Sequence, residues 1–229
     1  MKDLFGKALY DFYNNSFTPP LLLHNEYGPP EVIPVESYFF EENAYSNIEV
    51  FALEQIYGKT LDIGAATGRH ALHLQMLGID VTAMDISKSC GMLMKKIGIK
   101  KIIIDSIYNY SDERFDTIFM LMNGIGLAGT IDGLSKLLIH LKSILLPTGQ
   151  LIVDSTNISY LYEDGEFPKE KYFGELTFRY EYKKILDDFF DWLYIDQEKL
   201  MEIAMATGWN CQIIYSDESD AYLARLNLK

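Results

Sequence analysis

The sequence predicts an α/β fold of the Rossmann-like, doubly wound kind, with a mostly parallel sheet flanked by helices. Two observations carry the prediction. The apolar run Thr60-Leu61-Asp62-Ile63 is followed by the small-residue turn Gly64 to Gly68, a helical stretch, and a second apolar run Val81 to Asp85, which together make one strand, turn, helix and strand unit. Beyond it, apolar runs keep alternating with helical stretches such as Ser87 to Ile97 and Thr130 to Leu145, the pattern of parallel strands joined by helical crossovers. A length of 229 residues with 48% hydrophobic content suits one such domain with a moderate accessory segment.

Taken in order, Phe5, Leu9, Phe12 and Tyr13 recur at helical spacing, so Met1 to Asn15 predicts an amphipathic helix that needs a surface to lie on. Five of the seven prolines follow, Pro19, Pro20, Pro29, Pro30 and Pro34, and predict a loop or extended linker. Ala44 to Tyr57 predicts a second helix with Ile48, Phe51, Ala52 and Ile56 on one face. Residues 1–57 thus read as an N-terminal cap and 58–229 as the main domain. Within that domain Tyr172 to Ile195 is an aromatic-rich insertion patterned as a two-stranded hairpin, with Phe178, Tyr180 and Tyr182 on one face and Thr177, Arg179 and Glu181 on the other. Asp196 predicts the cap of a helix running to Ala206, with Glu198 in its first turn.

The turn after the first strand predicts a nucleotide site. Gly64 and Gly68 allow positive φ and put no Cβ between chain and ligand, while Ala65, Ala66 and Thr67 keep the floor shallow. Free N–H groups at the start of the next helix can receive an anionic group. Asp85 follows the turn at about the twenty-residue distance at which a carboxylate accepts both ribose hydroxyls. A dinucleotide fingerprint would need glycines where Ala66 and Arg69 stand, and against a phosphate-cradling loop the second glycine, Gly68, comes one residue early and is followed by Arg69-His70 in place of lysine and a hydroxyl residue. The pattern Asp62, Gly64, Ala66, Gly68 is instead similar to motif I of the class I S-adenosylmethionine-dependent methyltransferases, with Ala66 in place of the usual middle glycine.

The resemblance runs from about Thr60 to Lys229. It implies that Ile102 to Asp105 is the third strand, with Asp105 near the adenine amino group, and that Phe115 to Gly124 is the fourth strand with the loop beside the reactive methyl. Leu146-Pro147-Thr148-Gly149 resembles the family's turn before the fifth strand, and Trp209 to Tyr215 with Ala221 to Leu228 resembles its terminal antiparallel pair. Asn123-Gly124 lacks the Asn/Asp-Pro-Pro-Tyr signature of methylases acting on nucleobase amino groups. The cofactor set implied is Asp62, Gly64, Ala65, Ala66, Gly68, Arg69, Asp85, Ile86, Asp105, Ser106 and Asn123. Arg69 has two readings, a partner for the methionyl carboxylate or a solvated cation.

Composition narrows the partners. A net charge of −13 repels polyanions, and no basic run offers phosphate contacts, so neither nucleic acid nor an anionic membrane surface is expected. Cys90 and Cys211 have neither metal nor redox spacing, the opening residues do not form a signal peptide, and no apolar run has membrane-spanning length, which together predict a cytoplasmic protein. His70 and His73 share a helix face but have no third ligand, so no metal is expected. The expected reaction is methyl transfer to a small-molecule acceptor, with Asp154, Arg179 and Tyr180 as substrate candidates and no residue assigned as base. A non-catalytic adenosylmethionine sensor and an NAD-binding protein are the alternatives, and monomer and homodimer are both compatible with the sequence.

Overall fold

The structure is a computed structural model, and it describes residues 2–14, 19–39, 45–162 and 165–229. In chain order the elements begin with helix α1 (Leu4–Tyr13), strands β1 (Leu21–His24) and β2 (Glu31–Ile33), and helix α2 (Asn47–Glu54). Alternating elements follow: β3 (Thr60–Ile63), α3 (Arg69–Met76), β4 (Val81–Asp85), α4 (Lys88–Ile97), β5 (Ile102–Ile104), β6 (Phe115–Met120), α5 (Ile131–Leu141) and β7 (Leu145–Thr156). The remainder is β8 (Glu175–Tyr182), β9 (Ile185–Leu186), β10 (Phe190–Leu193), α6 (Gln197–Ala206), β11 (Trp209–Ser216) and β12 (Ala221–Leu228). No helix among the described residues is long and apolar enough to cross a membrane.

The chain forms two compact units, the first made of Met1–Ala44, Leu61–Tyr110 and Thr177–Phe190, the second of Tyr45–Thr60, Ser111–Leu176 and Asp191–Lys229. In the first, the strand order is β3-β4-β5, and β4 and β5 pair in parallel with Asp85 opposite Ile104. α4 starts at Ser87, whose hydroxyl accepts from Cys90 N–H at 3.0 Å, and stops at Gly98 in the left-handed region, the N-cap and C-cap residues expected for a helix. α1 packs on α4 through Leu9, Cys90 and Leu93, and on the accessory strands through Leu4, Ala8, Leu21 and Tyr182. The helix expected over Met1 to Asn15 is therefore present from Leu4 to Tyr13; Met1 and Asn15 lie outside the described residues.

One expectation for this unit is corrected. The proline-rich stretch holds β1, β2 and a 3-10 turn at Val35–Tyr38. β1 is antiparallel to β8, with His24 opposite Arg179 and Leu22 opposite Glu181, and β2 adds on its far side. Leu22, Leu23 and His24 pair on one side with a strand remote in sequence, a pairing that the local proline signal could not show. β8 turns into β9 through Lys183 and Lys184, both left-handed, so the chain reverses there into a short strand, Ile185–Leu186, that the alternation of aromatic residues did not predict.

In the second unit the strand order is β11-β12-β7-β6. β6 and β7 are parallel, while β7, β12 and β11 are antiparallel in turn, with Asp154 opposite Leu223 and Trp209 opposite Leu228. The terminal antiparallel pair is present. α5 is shorter than the Thr130 to Leu145 expected, because its last turn tightens into a 3-10 segment at Lys142–Ile144 that leads directly into β7. The large rings of this core keep their polar ends satisfied: Trp209 Nε1 donates to the Leu138 carbonyl at 3.1 Å and the Tyr222 hydroxyl to the Ile195 carbonyl at 2.7 Å. Asp196 caps α6 by accepting from Lys199 N–H at 2.9 Å, as the sequence implies. α2 opens at Asn47, and Glu49 in its first turn accepts from Ser46 N–H and O–H at 3.0 and 2.8 Å; Ala44 lies outside the described residues.

Candidate functional site

The first unit assembles most of the predicted residues around the turn that leaves β3. Gly64, Ala66 and Gly68 have φ of 75°, 51° and 78°, so the turn needs the left-handed region three times in five residues. Gly64 and Ala65 donate N–H bonds to the Met84 carbonyl at 2.9 and 3.0 Å, which ties the turn to β4. Asp85, at the end of β4, accepts from Ala66 N–H on one oxygen and Ser87 N–H on the other, both at 2.8 Å. Each oxygen keeps a second lone pair for an incoming hydroxyl. Burial raises the Asp85 proton affinity, the two N–H bonds lower it, and nearby Asp3 raises it again.

Asp62 is buried at the carboxyl end of β3, and its Oδ2 has no hydrogen-bond partner among the described residues. Burial, then the Asp85 charge, push its carboxyl well above the usual range, and the Ala71 N–H only partly offsets them. A buried acceptor left unmade is costly, and a cationic group of a ligand would satisfy it. Ile86, beside Asp85, is 62% exposed and offers an apolar surface. Asp105, just past β5, is exposed, and its Oδ1 accepts from Ser106 N–H and Asn109 Nδ2 at 2.6 and 2.8 Å. A cation acceptor, a doubly held carboxylate, an apolar ledge and a further acid thus lie on the carboxyl ends of three neighbouring strands, β3, β4 and β5. This donor set fits a nucleoside bearing an amino-acid tail.

Two ties were not legible in the sequence. Thr67 Oγ1 donates to the Tyr38 carbonyl, and the Arg69 guanidinium donates to the Ser37 carbonyl. Arg69 is 5% exposed, so it is not solvated; it anchors the 3-10 turn at Val35–Tyr38 against the glycine turn. Cys90 is fully buried, and burial raises its thiol pKa, as suits a packing residue.

In the second unit Met122 and Asn123 follow β6 with φ of 61° and 56°. Asn123 N–H donates to Asp154 at 2.9 Å, and the Asn123 side-chain oxygen accepts from Thr156 at 3.1 Å. This fixes an unusual pair of left-handed non-glycine residues against the end of β7. Burial pushes the Asp154 carboxyl up to about 7, Asn123 N–H pulls it down, and Glu49 on α2 raises it again. Because the folded pKa lies above the unfolded value, the contribution to stability is full below pH 4 and is lost as pH rises through 7. Asp154→Asn should therefore gain on the wild type by roughly 1 to 4 kcal/mol between pH 4 and 7, then level off. Denaturant melts across that range check this; a constant gap would show that Asp154 ionises freely in the fold.

Arg179 and Tyr180 are adjacent on β8 and so face opposite sides of it. Arg179 stacks over Phe189 at 4.7 Å and shares its face with His24 and Glu181, whose side chains meet at 2.8 Å. Tyr180 stacks between Phe5 and Phe190, at centroid distances of 5.4 and 5.1 Å. Among the described residues, no group of three or more histidines, cysteines or acids is placed to hold a metal.

Comparisons with known proteins bear on the family and the fold. The family model described as tellurite resistance protein TehB matches residues 36–150. Among solved structures, the chain is 36% identical to an S-adenosylmethionine-dependent methyltransferase from Bacteroides fragilis, solved in complex with S-adenosyl-L-homocysteine; the match covers 99% of this chain and 95% of that one, with a TM-score of 0.92. The CcbJ methyltransferase of Streptomyces caelestis matches at 13% identity over 100% and 99% of the two chains, TM-score 0.66. A methyltransferase from Clostridium acetobutylicum matches at 14% over 79% and 87%, TM-score 0.60. These last two share the fold alone. A search of curated proteins found no match.

Proposed function

The chain belongs to the class I S-adenosylmethionine-dependent methyltransferases, and we propose that its methyl acceptor is a small molecule. S-adenosylmethionine is its cofactor, and when bound it supplies a methyl group already activated on sulfonium. The observation that carries the cofactor assignment is the buried, unpartnered Asp62 oxygen, which we assign to the methionyl ammonium. We assign Asp85 to the ribose hydroxyls, Ile86 to a face of the adenine, and Asp105 with Ser106 to its edge. Gly64, Ala65, Ala66 and Gly68 form the floor, and Arg69 orients the turn that covers it. Asn123 is proposed as a further cofactor contact and Asp154 as a substrate contact. The chain's task is to align the acceptor and exclude water, so no dedicated base is assigned.

Support for a small acceptor comes from charge and from the accessory strands. The net charge of −13 disfavours a polynucleotide. Phe5, Tyr180, Phe190 and Phe178 form a continuous run of rings with neighbouring centroids 5.1 to 6.1 Å apart, an apolar wall suited to a compact organic body. We propose residues 1–57 as the cap and 58–229 as the transfer domain. Both cysteines are free thiols, which fits a cytoplasmic setting.

The test is to incubate the protein with methyl-labelled adenosylmethionine and whole-cell extract, then separate the products by size. Label is expected in the low-molecular-weight fraction, and label confined to protein or nucleic acid would overturn the reading. In the same assay Tyr180→Ala should lower transfer by about tenfold, the equivalent of one lost aromatic contact of roughly 1.4 kcal/mol. Arg179→Ala, altering the opposite face of β8, should leave transfer nearly unchanged. The reverse order would move the acceptor to the His24 and Glu181 face.

A further inference from the structure

Asp3 stands at the N-terminus of α1, far in sequence from the nucleotide turn, yet its carboxylate is spent on the opening of α4. Oδ1 accepts from the Ser87 hydroxyl at 2.6 Å and Oδ2 from Ser89 N–H at 3.0 Å. Asp3 takes a left-handed φ of 59° to do so, a conformation that costs a non-glycine residue and persists only where its surroundings hold it. The contact is close along its length: a Cβ at Gly6 would lie 2.1 Å from Ser87 Oγ, so only glycine lets α1 approach. Ser87 is the same residue whose N–H holds Asp85 Oδ1 at 2.8 Å.

We propose that Asp3 is a positioning residue for the cofactor, holding Ser87 and Ser89 so that the Asp85-Ile86-Ser87 bend presents the Asp85 carboxylate in a fixed direction. This rests on the assignment of Asp85 to the ribose. Asp3 acts in two opposed ways. Its hydrogen bonds stiffen the bend, while its charge makes ionised Asp85 less favourable. The other titratable groups around Asp85 among the described residues are Asp62 on β3 and Cys90 on α4, both buried; Lys88 is exposed, and Lys7 is turned to the Lys2 carbonyl. Asn at position 3 keeps one acceptor for the Ser87 hydroxyl and removes the charge; Ala removes both.

The experiment is calorimetric titration of adenosylhomocysteine into wild type, Asp3→Ala, Asp3→Asn and Asp85→Ala as a function of pH, with folding checked by circular dichroism. Asp3→Ala is expected to bind about tenfold more weakly near neutral pH, and Asp3→Asn within about threefold of wild type, since one charge-assisted hydrogen bond is worth that much. In both Asp3 variants the acid limb of binding should move to lower pH, which a purely structural loss would not produce. Weakened binding in Asp85→Ala beside wild-type binding in Asp3→Ala would overturn the role of Asp3 alone. Unchanged binding in Asp85→Ala would overturn the ribose assignment and the role of Asp3 with it. An Asp3→Asn variant as weak as Asp3→Ala, with an unmoved acid limb, would also reject the proposal.

Discussion

Gly64→Val loses adenosylhomocysteine binding by more than about a hundredfold, a change of roughly 3 kcal/mol. Two effects add. Gly64 sits at φ 75°, where an L-residue is strained, and a β-branched one most of all. Its N–H must also stay on the Met84 carbonyl at 2.9 Å, so the backbone is not free to relax away. Gly64 is itself exposed, so a valine side chain there would stand over the turn floor proposed to lie beneath the cofactor. Gly64→Ala, with the same backbone strain but less bulk, should lose less. Calorimetry on variants shown to be folded separates the two effects. Wild-type affinity in a folded Gly64→Val protein would mean that this turn is not the cofactor floor.

Asp85→Ala is the second large effect, with adenosylhomocysteine affinity falling by about a hundredfold as two charge-assisted hydrogen bonds of roughly 1.5 kcal/mol each are lost. The same change removes the acceptor of Ala66 N–H and Ser87 N–H, so stability should fall as well, by roughly 1 to 3 kcal/mol. Asp85→Asn keeps one acceptor and should fall between. Stability can be read from thermal melts and affinity from titration well below the melting temperature. Loss of stability without loss of affinity would make Asp85 a structural clamp on the turn and take it out of the ribose site.

The glycine turn, the strands before and after it and the terminal pair were legible because each is a local signal. Asp62 to Gly68 encodes the turn, and the apolar runs at Val81, Ile102, Phe115 and Leu151 match β4, β5, β6 and β7. What was not legible is long-range. β1 forms inside a proline-rich segment and pairs on one side with β8, a strand remote in sequence. Asp3 reaches Ser87, and Arg69 reaches Ser37, across gaps that no spacing rule covers. The alternation of β8 already placed Arg179 and Tyr180 on opposite faces. Only the tertiary structure, however, shows that Tyr180 joins a run of rings while Arg179 joins His24 and Glu181.

The central claim is that the Asp62 to Gly68 turn and Asp85 hold an adenosyl amino acid. Calorimetric titration of the wild-type chain with adenosylhomocysteine tests it most directly, with NAD as the comparison ligand. A single site with a dissociation constant on the order of micromolar is expected, competed by adenosylmethionine and absent for NAD. Saturable binding of NAD with none of adenosylhomocysteine would contradict it.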